Sequence, residues 1–320
     1  MAMNNPTPPI RRIQYYRFGG PEEMKLENHV LPPPGRHEIR VRVRSASVNE
    51  IDWRLRDGYL KLITGWRFPR GMGMDFAGVV EQVGPEVSRF AIGDRVMGIA
   101  PLRTPGAFAE ALITREGQTL LMPDGLDFEA AAALPTVGVT AWRGLLKYGR
   151  LQSGQSVFIN GAMGGVGRAA AQIARAKGAS VIAGRVGPDD ILAAGAAGID
   201  PAISYKGPIP PELRHQFDIV FDCHGSLTPA EGDLLVQPGG VILDTNPSGR
   251  KRLLAILSRR RKMVFGSMSA KEIQPAVDLA SAGQLRIPVG RAIGLEDAIA
   301  QIAAMEQGKG GKGKTVIVIP

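Results

Sequence analysis

Val157-Phe158-Ile159-Asn160-Gly161-Ala162-Met163-Gly164-Gly165-Val166-Gly167 decides the fold of this chain. The apolar triplet reads as a buried parallel strand, and it breaks at once into small residues. Ala169 to Lys177 then carries helix formers with an apolar face, and Ser180-Val181-Ile182-Ala183 reads as a second strand. A strand, a glycine-rich turn and a helix are what a nucleotide pyrophosphate needs. Small residues let the backbone approach the phosphates, and the free N–H groups and positive end of the helix dipole face the anion. Ala162-x-Gly164-x-x-Gly167 matches the dinucleotide fingerprint, with alanine in the first glycine position. Glycines alone also mark ordinary turns, so the flanking strand and helix are what give the motif its weight. The segment Gly161, Ala162, Met163, Gly164, Gly165, Val166 and Gly167 is therefore the expected cofactor cradle.

The end of the second strand refines the cofactor. NAD-binding units usually carry an acid about 20 positions past the glycines, on the adenosine ribose. Here the strand ends Ala183-Gly184-Arg185, with no carboxylate before Asp189. A guanidinium at that place can make paired hydrogen bonds to a 2′-phosphate, which favours NADPH over NADH. The plain alternative is an exposed arginine at a strand end.

Composition bounds the rest. A chain of 320 residues, 44% of them apolar, has enough material for two domains with full cores. It contains no apolar run of the roughly 18 residues that suggests a membrane span. Met1 to Pro9 lacks the apolar stretch of a secretory signal. Cys223 is the sole cysteine, which excludes an intramolecular disulfide and suits a reducing cytoplasm. The net charge of +9 raises the question of nucleic acid. Its basic residues are scattered apart from Arg259-Arg260-Arg261-Lys262 and Lys309, Lys312 and Lys314, and aromatic residues are only 6%. No rings interleave with cations for base stacking, so neither a nucleic-acid nor a membrane partner is expected. The charge serves as a solvated face, or it steers an anionic ligand.

Along the chain, the first third reads as strands at Arg11 to Tyr16, Ile39 to Ser47, Phe76 to Val83, Phe90 to Val96 and Gly106 to Ile113. Turn clusters separate them, which predicts an antiparallel barrel. After Phe128 the character changes to alternating helix and strand. Helices are expected at Glu129 to Leu134, Thr140 to Tyr148, Ile191 to Ala197, Glu272 to Ala282 and Leu295 to Gln307. Strands are expected at Ala202 to Ser204, Phe217 to Asp222, Gly240 to Asp244 and Met263 to Met268. This alternation predicts an α/β fold with a doubly wound, Rossmann parallel sheet. The last strand, Thr315 to Ile319, is expected to return to the first domain.

With these elements in place, the surrounding sequence resembles the medium-chain dehydrogenase/reductase superfamily, in its zinc-independent quinone oxidoreductase and enoyl reductase branch. The landmarks are Ser47-Val48-Asn49-Glu50-Ile51-Asp52, Gly73 to Val80, Val87 to Val96 and Ala131 to Trp142, with the glycine turn itself. The resemblance implies a GroES-like catalytic domain over 1–128, a Rossmann domain over 129–268 and a C-terminal segment, 269–320, that returns to the catalytic domain, with a cleft between the two domains. The zinc-dependent members supply a cysteine where this chain has Asn49, and a histidine where it has Met74. Neither is a normal catalytic zinc ligand, so no metal is expected.

The resemblance also assigns residues. Asn49 and Asp52 match an Asn-x-x-Asp turn facing the nicotinamide, where the Asn49 amide bonds ribose or substrate carbonyl; self-capping of the turn is the alternative. Tyr59 matches a loop tyrosine that donates a proton or hydrogen bond to an enolate, or it merely caps the core. The usual proline after it is absent, with Leu60-Lys61-Leu62 instead. Thr140 is expected at the nicotinamide ribose, with Thr136 left open. Cys223 ends a parallel strand near the cofactor and has no partner that would make it a nucleophile. Phe265 and Ser267 belong to a segment that meets the carboxamide through backbone groups.

The activity implied is NADPH-dependent hydride transfer to quinones or to the C=C bond of conjugated carbonyl compounds. Two alternatives stay open: reduction of a CoA or carrier-protein enoyl thioester, and a non-catalytic NADPH-binding sensor or structural subunit. The resemblance further implies a homodimer joined through the edge of the Rossmann sheet at Met263 to Met268.

Overall fold

The computed structural model describes residues 8–247 and 249–320, without the side chain of residue 250. Its strands in chain order are β1 (Ile10–Tyr15), β2 (Lys25–His29), β3 (Glu38–Ser47), β4 (Arg70–Gly71), β5 (Asp75–Val83), β6 (Arg95–Ile99), β7 (Ala111–Arg115) and β8 (Thr119–Leu121). They continue as β9 (Ser156–Asn160), β10 (Val181–Val186), β11 (Ala202–Ser204), β12 (Phe217–Asp222), β13 (Val236–Asp244), β14 (Arg261–Met263), β15 (Val289–Gly294) and β16 (Lys314–Val318). The chain divides into two units. The first holds everything up to Thr136 together with Met268–Val277 and Ile287–Pro320, and the second holds Val137–Ser267 and Asp278–Arg286.

In the first unit β3 is the spine. Its apolar positions alternate, and Ile39, Val41 and Val43 are fully buried on one face, as a strand with one covered side requires. β3 pairs antiparallel with β5, β7 and β16, in a sheet ordered β15-β16-β3-β5-β6-β8 with β7 attached to β3. Two expected strands shift. Phe90 to Asp94 is a turn, with Gly93 at φ +96° and the Asp94 carboxylate accepting from Ala91 N–H, so β6 starts only at Arg95. Gly106 and Ala107 both donate their N–H to Gly73, and the pairing of the next strand with β3 begins at Ala111. The C-terminal strand returns as expected, with Val316 opposite Ser47 and Ile317 opposite Ala46. Leu295, Ala298, Ile302 and Ile317 complete the core of this unit.

The second unit is a parallel sheet in the order β11-β10-β9-β12-β13-β14, which reverses direction between β9 and β12. Ligands bind beyond the carboxyl ends of strands at such a reversal. The helix Gly165–Ala176 buries Ala169, Ala170, Ile173 and Ala174, one stripe at helical spacing. Thr140 to Tyr148 is not one regular helix: an α-helix runs Pro135–Trp142 and a π-helical turn follows at Arg143–Tyr148. Gly144 in that turn lies flat on Phe221, where a Cβ would come within 2.3 Å of the ring.

The expected edge strand Met263 to Met268 is corrected. β14 spans only Arg261–Met263, and 264–269 is irregular. The carbonyl of Phe265 accepts from the Arg143 guanidinium at 2.7 Å, so it bonds a side chain instead of a neighbouring strand. The boundaries also differ from 1–128, 129–268 and 269–320. The first unit runs on to Thr136, and Asp278–Arg286 joins the second unit.

Candidate active site

The glycine turn is built by close backbone packing. Gly161 has φ +76°, the left-handed region that a side chain disfavours, and it donates to the carbonyl of Arg185 at 2.9 Å. A Cβ on Gly167 would lie 2.1 Å from the Gly161 carbonyl oxygen, so this glycine holds helix and strand together. The alanine in the first glycine position has a local explanation. Ala162 faces Gly184 on β10, where a Cβ would sit only 2.6 Å from the methyl of Ala162. The helix begins at Gly165 with no acid in its first turn, and its leading N–H groups are free of capping side chains. Arg168 folds back over the turn onto the carbonyl of Met163 at 2.9 Å.

Arg185 has partners inside its own unit. Its side chain is buried, with one terminal nitrogen on Glu231 at 2.7 Å and the other 3.2 Å from the carbonyls of Tyr205 and Gly207. Burial works to raise the Glu231 carboxyl, but the Thr228 N–H and Arg185 outweigh it and hold that carboxyl below its ordinary range. The guanidinium expected to be available for a 2′-phosphate is thus committed inside the unit. Glu231 opens the helix Pro229–Leu235 through a capping box with Thr228, and only the fold brings it beside β10.

The other expected cofactor residues of this unit fall into two groups. Cys223 donates its N–H to the carbonyl of Asn160 at 3.1 Å, and His224 lies directly over Gly161. Burial, and then the carboxylates of Asp222 and Asp244, push the Cys223 thiol well above its ordinary value. A thiol in that state is a poor nucleophile at neutral pH. Thr140 is buried, and a Cβ on Gly266 would be 3.3 Å from its hydroxyl. Thr140 and Gly266, the residue between Phe265 and Ser267, therefore meet, although they are far apart in sequence.

In the first unit Asn49 is the centre of a buried polar network. Its Oδ1 accepts from the Lys314 ammonium at 2.7 Å, and its Nδ2 donates to Asp75 at 2.9 Å and to the Ser47 carbonyl at 3.3 Å. Both amide hydrogens are spent inside the unit. In this arrangement the amide links Lys314 to Asp75, so donation to a ribose or substrate carbonyl would require it to give up one of these bonds. Asp75 also accepts from Ser47 at 3.1 Å and from the Thr136 hydroxyl at 2.6 Å, which gives Thr136 a structural partner. Asp52 accepts from the Asn49 N–H at 2.7 Å and opens the helix Glu50–Arg56. Its second oxygen is buried without a partner.

Burial raises both carboxyls and lowers Lys314. Like charge from Asp75 raises Asp52 further, whereas the bond from Asn49 opposes the rise. Lys314 was not singled out as a site residue from sequence. A lysine opening an apolar strand was its only local signal.

Tyr59 lies in the loop after Glu50–Arg56, half-buried, with the Arg54 guanidinium 4.1 Å from its ring centroid. Its hydroxyl makes no hydrogen bond among the described residues. The proline-free continuation takes Leu60 into φ 63°, and a short helix then runs Lys61–Thr64.

Comparisons with known proteins agree with this geometry. The family description "Alcohol dehydrogenase GroES-like domain" matches residues 35–124, and "Zinc-binding dehydrogenase" matches residues 197–317. The chain is 38% identical over 174 residues to the quinone oxidoreductase of Rattus norvegicus, covering 54% of this chain and 52% of that protein. A quinone oxidoreductase of Pseudomonas aeruginosa is 39% identical over 173 residues, covering 54% and 51%. The structure of the quinone oxidoreductase from Coxiella burnetii superposes with a TM-score of 0.88 at 27% identity, covering 98% of this chain and 100% of that one. The chain belongs to the medium-chain dehydrogenase/reductase superfamily. It spans about half the length of the curated relatives it matches.

The superfamily's zinc does not fit the residues present. At the two expected ligand positions Asn49 is bonded to a lysine and Met74 is buried. Among the described residues no group of three or more His, Cys, Asp or Glu side chains is arranged to hold a metal ion. Nor is any described helix long and apolar enough to cross a membrane.

Proposed function

We propose that this superfamily member is a reductase that passes hydride from a nicotinamide dinucleotide to quinones or to the C=C bond of conjugated carbonyl compounds. The observation that carries the reading is the backbone cradle at 161–167. Gly161 and Gly167 are in near contact, and a helix of 12 residues points its uncapped amino end at the turn. Those N–H groups and the helix dipole offset phosphate charge. When bound, the dinucleotide would supply the hydride to the acceptor and leave in its oxidised form. Thr140 and the backbone of Phe265 to Ser267 hold the nicotinamide half. The unpaired hydroxyl of Tyr59 is the proposed donor to the developing oxyanion, because a phenol is protonated at neutral pH. The relatives named quinone oxidoreductase support the choice of acceptor.

NADPH as the preferred donor rests on Arg185 alone, and it requires the guanidinium to exchange Glu231 for a 2′-phosphate. The test is cofactor oxidation by the purified chain against a panel of quinones, enones and enoyl-CoA esters, with affinities for NADPH and NADH. Turnover on quinone or enone is the expected result, and cofactor binding without turnover on any acceptor would leave a sensor. A preference of about tenfold for NADPH, lost in Arg185→Ala, would support the finer reading. Equal affinities in the parent would remove NADPH and leave the reductase intact. A homodimer through the sheet edge has only Arg261–Met263 to pair with, and light scattering would detect it.

A further inference from the structure

The first unit contains a groove of about 910 Å³ that the proposed chemistry does not use. This is toward the upper end of the roughly 300–1,000 Å³ typical of small-molecule sites. Its floor carries Arg12, with Arg67, Arg70 and Arg103 around it, and Glu38 is the one carboxylate on its wall. None of the four guanidiniums is paired with a carboxylate among the described residues. Two of them, Arg12 and Arg70, are buried without a counter-charge, which is costly for a desolvated cation, whereas Arg67 and Arg103 are exposed.

Arg12 shows that the arrangement is built. It is 8% exposed, and its stem crosses Gly71, where a Cβ would lie 3.2 Å from Arg12 Cδ. Gln14 takes two of its nitrogens, at 3.2 and 2.6 Å, and the third has no hydrogen-bond partner among the described residues. Burial without a carboxylate lowers its guanidinium to about 10. Arg70 is likewise buried. It bonds the carbonyls of Thr64 and Gly65 through one nitrogen and leaves its Nε buried and unpartnered. Beside this cationic floor, the short helix and the loop after it expose Leu62 (84%), Ile63 (52%) and Trp66 (59%) into the same groove.

We propose that this groove binds an amphipathic anion, a phosphate or carboxylate group joined to an apolar chain. The charged end meets Arg12 and Arg70, with Arg67 and Arg103 at the rim, through charge-assisted hydrogen bonds. The chain covers Leu62, Ile63 and Trp66 and removes their apolar surface from water.

The experiment is calorimetric titration of the full chain at low salt with octyl phosphate, octanoate, inorganic phosphate and octanol, followed in parallel by tryptophan fluorescence. Octyl phosphate or octanoate should bind at least about tenfold more tightly than the chain-free phosphate and the charge-free octanol. Whichever of the two binds better identifies the head group. Arg12→Gln should weaken that binding by tenfold or more. The exposed double variant R67Q/R103Q gives an independent reading if Arg12→Gln does not fold. Leu62→Ser with Trp66→Ser should weaken octyl phosphate and leave inorganic phosphate unchanged. Dinucleotide binding should be unaffected by R67Q/R103Q, which separates this groove from the glycine turn. Equal binding of octanol and octyl phosphate, or full affinity retained in R67Q/R103Q and Arg12→Gln, would overturn the proposal.

Discussion

The glycine turn of the second unit and the Asn49 network of the first solve the same problem by opposite means. Both must hold polar groups in place at the end of a strand. The turn does it with backbone from a stretch of eleven residues and from β10 beside it, and its tolerances are set by hydrogen atoms standing where side chains would be. The network does it with side chains from distant segments: Ser47, Asn49 and Asp52 from one, then Asp75, Thr136 and Lys314. Asn49 and Lys314 are 265 positions apart. A local device is limited by sterics. A device assembled from afar is limited by charge, because removing any member leaves the others buried without a partner.

The largest expected effect tests that claim. Lys314→Met should cost about 3–5 kcal/mol of stability, because it strands the buried Asp75 carboxylate. Adding Asp75→Asn to that variant should restore part of the loss. Thermal unfolding of the two variants would decide it: a fall below about 1 kcal/mol for Lys314→Met would mean that the charges are hydrated and the comparison fails.

The turn should respond to volume alone. Gly184→Ala should destabilise the chain by about 1–3 kcal/mol through overpacking against Ala162. The double variant with Ala162→Gly should recover part of that, because a Cβ on Gly184 would still meet Ile199 Cγ2 at 2.9 Å and the Ile159 carbonyl at 3.1 Å. A coupling of about 0.5 kcal/mol or more in the double-mutant cycle would confirm the contact, and strict additivity would refute it.

The smallest effect is one of pH. Burial raises the Asp52 carboxyl, so the folded state keeps a proton that the unfolded chain has released above the ordinary carboxylate range. Its contribution is full below that range and is lost as pH rises through the raised folded value. Asp52→Asn cannot lose that proton, so its midpoint temperature should fall less between acid and alkaline pH than that of the parent. Parallel profiles would show that Asp52 is ionised throughout.

Much of the fold was legible because its signals are local. The alternating residues of β3, the run from Val157 through Gly167 and the apolar strand after Lys314 each fit in one window, and each folds as its pattern predicts. The misplaced strands have local causes too. Gly93-Asp94 is turn chemistry inside an apolar run, and Met263 to Met268 has the composition of a strand but loses a carbonyl to Arg143.

The site divides along the same line. Sequence by itself determined that a glycine-rich turn joins a strand to a helix, that a parallel sheet carries it and that the last strand goes home to β3. Only the tertiary structure decided what the side chains do. Arg185 stands where a 2′-phosphate ligand would be expected, yet the helix at Pro229–Leu235 brings Glu231 to it and turns it inward. Asn49 has the identity of a substrate donor, yet Lys314 and Asp75 consume its amide. Backbone geometry follows from neighbours in the chain, whereas the partner of a charge is whichever group the fold brings within about 3 Å.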